Sequence, residues 1–156
     1  MRRETVRDLI KKIPGVSYNK IVRETGLSNG VVTHYLIKIM DSGEVEKEGE
    51  KRGKYFLKNV PKKDRKIISI LRNNTNNQIF RFLMKNLNEG KVVTQNQISK
   101  KMNKSASTIS VSLKNLQQNN IIERVIMNKS ANLSNDIGYI ISNEKLFANY
   151  ILKYNL

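Results

Sequence analysis

Two stretches of the chain, Ser17 to Glu46 and Thr94 to Glu123, superimpose at a constant offset of 77 residues, apolar position on apolar position. Ile21, Val32, Leu36, Ile39 and Val45 in the first stretch meet Ile98, Ile109, Leu113, Leu116 and Ile122 in the second. Ser28 coincides with Ser105, and Glu46 with Glu123. Literal identity is five positions of thirty, so the phase of the pattern, rather than the residues themselves, carries the inference that one fold unit is written twice. A chain of 156 residues then divides into two small domains, each with only a modest core of its own.

Charge narrows the partner. There are 29 Lys and Arg against 13 Asp and Glu, a formal net charge of +16, which points to a polyanion. Dividing at Pro61 leaves 13 basic and 8 acidic residues before it and 16 and 5 from it onward, so the halves carry +5 and +11. With no cysteine and one histidine, disulfides, thiolate metal sites and cysteine nucleophiles are excluded, and no cofactor or metal is expected. No apolar run approaches the roughly 18 residues of a membrane helix, and Met1-Arg2-Arg3-Glu4 lacks the apolar core of a secretory signal. The chain reads as soluble and cytoplasmic.

Periodicity places the elements. Val6, Leu9, Ile10 and Ile13 form the apolar face of a first helix that Pro14-Gly15 stops. Ser17 can cap a short second helix, Gly26 supplies the positive φ of a tight turn, and Ser28 caps a third helix that ends near Ser42 at Gly43. Two short helices around a sharp turn make a helix-turn-helix, whose second member enters the major groove of DNA. Glu44 to Glu48 and Lys54 to Leu57 follow as strand-like runs joined by Gly49-Glu50-Lys51-Arg52-Gly53, and a basic hairpin in that place makes the unit a winged helix.

The order then repeats. Ile67, Ile68, Ile70 and Leu71 mark a short connecting helix, and the bases Lys62, Lys63, Arg65 and Lys66 read as an ordinary charged linker. Thr75 is expected to open the second scaffold helix, with Ile79, Phe80, Leu83 and Leu87 inward. Thr94 to Met102, Ser105 to about Asn119, and a longer hairpin with an Asn- and Ser-rich tip from Asn128 to Asp136 complete the second copy. Leu146, Phe147, Tyr150, Ile151 and Tyr154 form one stripe of a C-terminal helix, which covers its own domain or pairs two chains as a homodimer. The expected fold is mainly α with small β-hairpin wings: a first winged domain over 1–60, a connecting segment over 61–74, a second winged domain over 75–142 and a C-terminal helix over 143–156.

With Val32, Leu36 and Ile39 inward, the third helix turns Asn29, Gly30, Thr33, His34, Ile37 and Lys38 outward. In the second copy the outward set is Ala106, Ser107, Ser110, Val111 and Lys114. The candidate DNA-binding residues are therefore Ser28, Asn29, Thr33, His34 and Lys38 on the first reading helix, with Lys51, Arg52 and Lys54 on its wing. Lys100, Lys101, Lys104, Ser105, Ser107, Ser110 and Lys114 are the candidates in the second copy. Neither helix carries the Arg-to-guanine or Asn-to-adenine density of a strongly sequence-reading surface. Glu46, Glu48 and Glu50 lie close enough in sequence to neutralise the first wing in part.

Leu27-Ser28-Asn29-Gly30-Val31-Val32-Thr33-His34-Tyr35-Leu36, followed by Ile39, Gly43 and Val45, resembles the third helix and the start of the wing in ArsR-like winged-helix repressors. Ser105 to Leu116 follows the same pattern, and two such units in one short chain are similar to tandem winged-helix transcription regulators of archaea. The resemblance implies a DNA-binding transcription regulator that works as a dimer. The Cys and His clusters of metal-sensing members are absent, so metal sensing is not implied. The alternative is a winged-helix docking module of transcription or replication machinery, with weak non-specific DNA binding. No nucleophile with a base, phosphate loop or carboxylate pair marks an enzyme.

Overall fold

The computed structural model describes residues 2–127 and 136–156. The expected hairpin tip from Asn128 to Asp136 lies, as far as residue 135, outside the described residues. The chain is mainly helical with two small antiparallel sheets, and it divides into two compact units, one of residues 1–72 with 150–156 and one of 73–149.

In the first unit the order is α1 (Arg2–Lys12), β1 (Val16–Ser17), α2 (Tyr18–Thr25), α3 (Asn29–Asp41), β2 (Val45–Glu48), β3 (Lys54–Leu57) and α4 (Lys62–Leu71). The apolar residues that recur at helical spacing bury as their phase requires. Val6 and Ile10 of α1, Ile21 of α2 and Val32, Leu36 and Ile39 of α3 meet Val16, Val45 and Tyr55 of the sheet in one core. Each such aliphatic side chain contributes about 1.5–3 kcal/mol by leaving water. The sheet order is β1-β3-β2, with Val45 opposite Leu57 and Val16 opposite Tyr55. The β1 strand was not legible in the sequence, because two residues carry no alternation to detect.

The second unit holds α5 (Asn74–Asn88), β4 (Val93–Thr94), α6 (Gln95–Met102), α7 (Ala106–Gln118), β5 (Ile122–Met127) and β6 (Asp136–Ile141). Adding 77 to the bounds of β1, α2 and α3 gives those of β4, α6 and α7, and the sheet order β4-β6-β5 is the same. Gly26 and Gly43, at φ 66° and 74°, are matched by Asn103 and Asn120 at φ 51° and 56°. Asn is among the few L residues that tolerate this left-handed conformation, which is why the turns survive the loss of glycine. The last helix, α8 (Glu144–Tyr154), belongs to the second unit up to residue 149 and to the first from Tyr150.

Several expectations are corrected. The scaffold helix α5 is capped by Asn73, whose side chain accepts from the Asn76 amide, and not by Thr75. Ser28 holds the N-cap position of α3 but makes no side-chain capping bond. The linker reading fails at Arg65, which is 3% exposed and donates to Glu46 at 2.5 Å, Glu48 at 2.8 Å and the carbonyls of Val60 and Lys58. Since Glu46 and Glu48 are engaged with Arg65 on α4, they do not neutralise the hairpin bases as their place in the sequence suggested.

Of the two alternatives for the C-terminal stripe, the residues of the chain itself engage it. Phe147 is buried with its ring edge-on to Phe80, at a centroid distance of 5.6 Å, in the second unit. In the first unit the hydroxyls of Tyr150 and Tyr154 donate to the buried Asp64 carboxylate at 2.7 and 2.5 Å, and Arg72 donates to the carbonyls of Pro14, Tyr154 and Asn155. Burial and the Asp64 charge push the Tyr150 phenol up to about 12 and raise that of Tyr154 as well. Leu146 and Leu152 remain exposed.

Candidate nucleic-acid interface

The outer face of α3 forms because three residues in each two turns go inward, leaving Asn29, Gly30, Thr33, His34, Ile37 and Lys38 exposed. Its N-terminal end is fixed from α2. The Tyr18 hydroxyl lies 2.8 Å from the Asn29 carbonyl, to which it donates, and 2.9 Å from the Thr33 hydroxyl. In the second unit Gln95, which is Tyr18 advanced by 77, donates to the carbonyl of Ala106 at 3.1 Å. Two chemically different side chains thus make the same bond at the same place. The repeat flags the position, but no property shared by Tyr and Gln in sequence predicts the bond.

The hairpin of the first unit is held by Lys47, which donates to the Glu50 carbonyl at 3.1 Å. A Cβ on Gly53 would collide with that lysine's methylenes and with the Gly49 carbonyl, so glycine is required there. Between the hairpin and the start of α2 lies an open cleft of about 670 Å³ lined by Ser17, Tyr18, Asn19, Lys47, Lys51, Arg52, Gly53, Lys54 and Tyr55. Four of those side chains are cationic and none is acidic. Lys51 and Arg52 are exposed, whereas Lys54 is half-buried and its ammonium makes no hydrogen bond or ion pair among the described residues. Burial, then the charges of Arg72 and Lys20, lower the Lys54 pKa, so an anion in the cleft would relieve an existing electrostatic cost. Asn19 and Lys47 were not singled out in the sequence, and Ser17 only as a helix cap. The signal for them was their place beside the wing and the helix cap rather than their type.

In the second unit the exposed face of α7 is Ala106, Ser107, Ser110, Val111 and Lys114. Ser105 is its N-cap, accepting from the Thr108 amide at 3.2 Å and lying 3.0 Å from the Ser107 hydroxyl. Lys100 and Lys101 line a cleft with Phe82, Asn86 and Lys91, against α5, and Lys104 is half-buried with its carbonyl accepting from Ser99. The Lys54 position has no basic counterpart: Gly138 pairs with Thr94 as Lys54 pairs with Ser17, and a Cβ there would collide with Val92.

Residues 1–68 match a family model described as an N-terminal HTH domain. This match supports a helix-turn-helix regulator over that segment, and such a domain suggests DNA binding. No curated protein matches the chain. Among the described residues no group of His, Cys, Asp and Glu is placed to hold a metal ion, and no helix is long and apolar enough to cross a membrane.

Proposed function

We propose that the chain is a double-stranded DNA-binding transcription regulator built from two tandem winged helix-turn-helix domains of ArsR-like type, over 1–60 and 75–142, acting by occupancy of promoter DNA. The observation that carries the reading is the exposed α3 face fixed by Tyr18 beside a cleft of four cations without an acid. In this reading Asn29, Thr33, His34 and Lys38 face base edges, while Lys51, Arg52 and Lys54 take flanking phosphates. Ser107, Ser110 and Lys114 form the second reading surface. Dimerisation through the C-terminal stripe is not part of the proposal, because Phe147, Tyr150 and Tyr154 are engaged within the chain.

Anisotropy titrations of the chain on duplex DNA over a series of salt concentrations test this. Each phosphate neutralised should add about 0.9 to the slope of log affinity against log salt. Lys54→Gln should weaken binding to all sequences and lower that slope by close to one unit. No binding at low salt, or a slope near zero, would replace this reading with a protein-docking module, for which Leu152 on α8, 85% exposed, offers an apolar contact.

A further inference from the structure

The exposed stripes of α3 and α7 match position by position. Gly30, Thr33, His34 and Ile37 on α3 stand at the places of Ser107, Ser110, Val111 and Lys114 on α7, a spacing of three, four and seven residues from the first. Large apolar residues are exposed at few places among the described residues, yet each stripe holds one: Ile37 at 49% and Val111 at 71%. Their positions along the helix differ. Ile37 lies in the third turn of α3, whereas Val111 lies in the second turn of α7, within the N-terminal half that reaches base edges when such a helix enters the major groove.

What surrounds Val111 limits what can cover it. Ser107 and Ser110 are hydroxyls able to bond any base pair, the stripe has no Arg, Asn or Gln, and Lys114, the one cation able to meet guanine, lies a turn beyond Val111 and outside the N-terminal half of the helix. An apolar protein surface would have to bury the Lys114 charge and the serine hydroxyls with Val111. A major groove presents phosphates for the cation, donors and acceptors for the hydroxyls, and one apolar group, the 5-methyl of thymine. The chain's charge of +16 favours the same polyanionic occupant.

We propose that α7 selects A·T pairs through apolar contact between the Val111 side chain and the 5-methyl of thymine. The inference rests on the DNA-binding reading above and names the base chemistry that the second unit reads. His34 at the equivalent place on α3 offers ring nitrogens instead, so the two helices discriminate by different chemistry.

The test uses the full chain, an alternating A·T duplex, and the same duplex with every thymine replaced by deoxyuridine, which removes only the methyl. Wild type should bind the thymine duplex tighter by roughly fourfold for each methyl buried. Val111→Ala should bring the affinity ratio of the two duplexes toward one, and Gln118→Ala, on α7 outside that stripe, should keep the wild-type ratio. Because Val111 is 71% exposed, the alanine variant should melt with the wild type; Val111→Ser serves as the second apolar deletion and should also abolish the ratio. Equal, salt-dependent binding of the two duplexes by wild type overturns the thymine contact while leaving the DNA reading intact. A thymine preference unchanged in both Val111 variants also overturns it, since the preference would then arise elsewhere. Binding to neither duplex at low salt overturns both.

Discussion

The two units share a skeleton and differ in what holds it. The first relies on ionic contacts across long stretches of chain: Arg3 and Arg7 of α1 meet Glu44 at 2.9 and 2.6 Å, and Arg65 of α4 meets Glu46 and Glu48. In the second, Ile121 stands where the first has Glu44, and local capping does more of the work. Thr94 and Gln97 form a capping box at the start of α6, and Ser105 caps α7 through Thr108. Both copies cap the helix after their first short strand, Ser17 in one and Thr94 in the other, but the first adds ion pairs at long range and the second adds the Ser105 cap and the reciprocal Gln97 bond at short range. That leaves Glu46 and Glu48 engaged with α4 while Glu50 stays on the hairpin tip, and the cleft beside α3 is lined by no acid.

The contrast is broken most severely by Arg65→Ala. It removes four hydrogen bonds from a buried guanidinium that also lies 5.6 Å from the Phe56 ring centroid, and it leaves two carboxylates without their partner. Both carboxylates keep more than a third of their surface, so the loss should sit near the low end for a broken buried pair, about 3 kcal/mol in urea denaturation. Hydrogen exchange should place the loss in residues 1–72.

A smaller effect is expected from Tyr154→Phe, which removes one donor from the buried Asp64 and should cost about 1–2 kcal/mol. The same contact has an alkaline signature. A phenol whose folded pKa lies above its unfolded value contributes stability that is complete below pH 10 and lost as pH rises through the folded value, which for Tyr150 is about 12. Absorbance titration should show Tyr150 and Tyr154 ionising late among the six tyrosines, and Asp64→Asn should bring both toward the ordinary value.

The caps sharpen the comparison directly. Ser105→Ala should cost about 1 kcal/mol, whereas Ser28→Ala, at the equivalent place but without a capping bond, should lie within about 0.5 kcal/mol of wild type in thermal melts. Finest in scale is the acid response. Hydrogen bonds from Arg7 hold the Glu44 carboxyl below its ordinary value, and those from Arg65 do so for Glu46. A lowered folded pKa means that the unfolded chain binds protons first, so this contribution is present above the ordinary value of 4.5 and is lost as pH falls below it. Melts from pH 6 down to 3 should lose stability over that window, and Arg7→Gln with Arg65→Gln should flatten the decline.

Much of the fold was legible because it depends on periodicity. Val32, Leu36 and Ile39, with Ile109, Leu113 and Leu116, announce two helices with one inward face each, and a hydrophobic face must be buried wherever the chain goes. The outward faces followed by subtraction, so every candidate on α3 and α7 presents an exposed side chain, and Ser105, also exposed, is in addition engaged as a cap. The cleft was only half legible. Lys51, Arg52 and Lys54 were visible as a basic tip, but that Lys54 is half-buried, and that Ser17, Tyr18 and Asn19 close the other wall, depends on β1 pairing with β3, Ser17 opposite Lys54.

By itself, the sequence determined the duplication, the helical phases and the turns, because each depends on spacing and local backbone preference repeated at a fixed offset. The tertiary structure alone decided which charges are available. Glu46 and Glu48 lie beside basic residues along the chain, yet their carboxylates meet Arg65 of α4. Asp64 looks like a linker acid until the fold supplies Tyr150 and Tyr154, 86 and 90 residues away. Coulomb and hydrogen-bond energies depend on separation in space, and for partners this distant in sequence that separation exists only after the cores have formed.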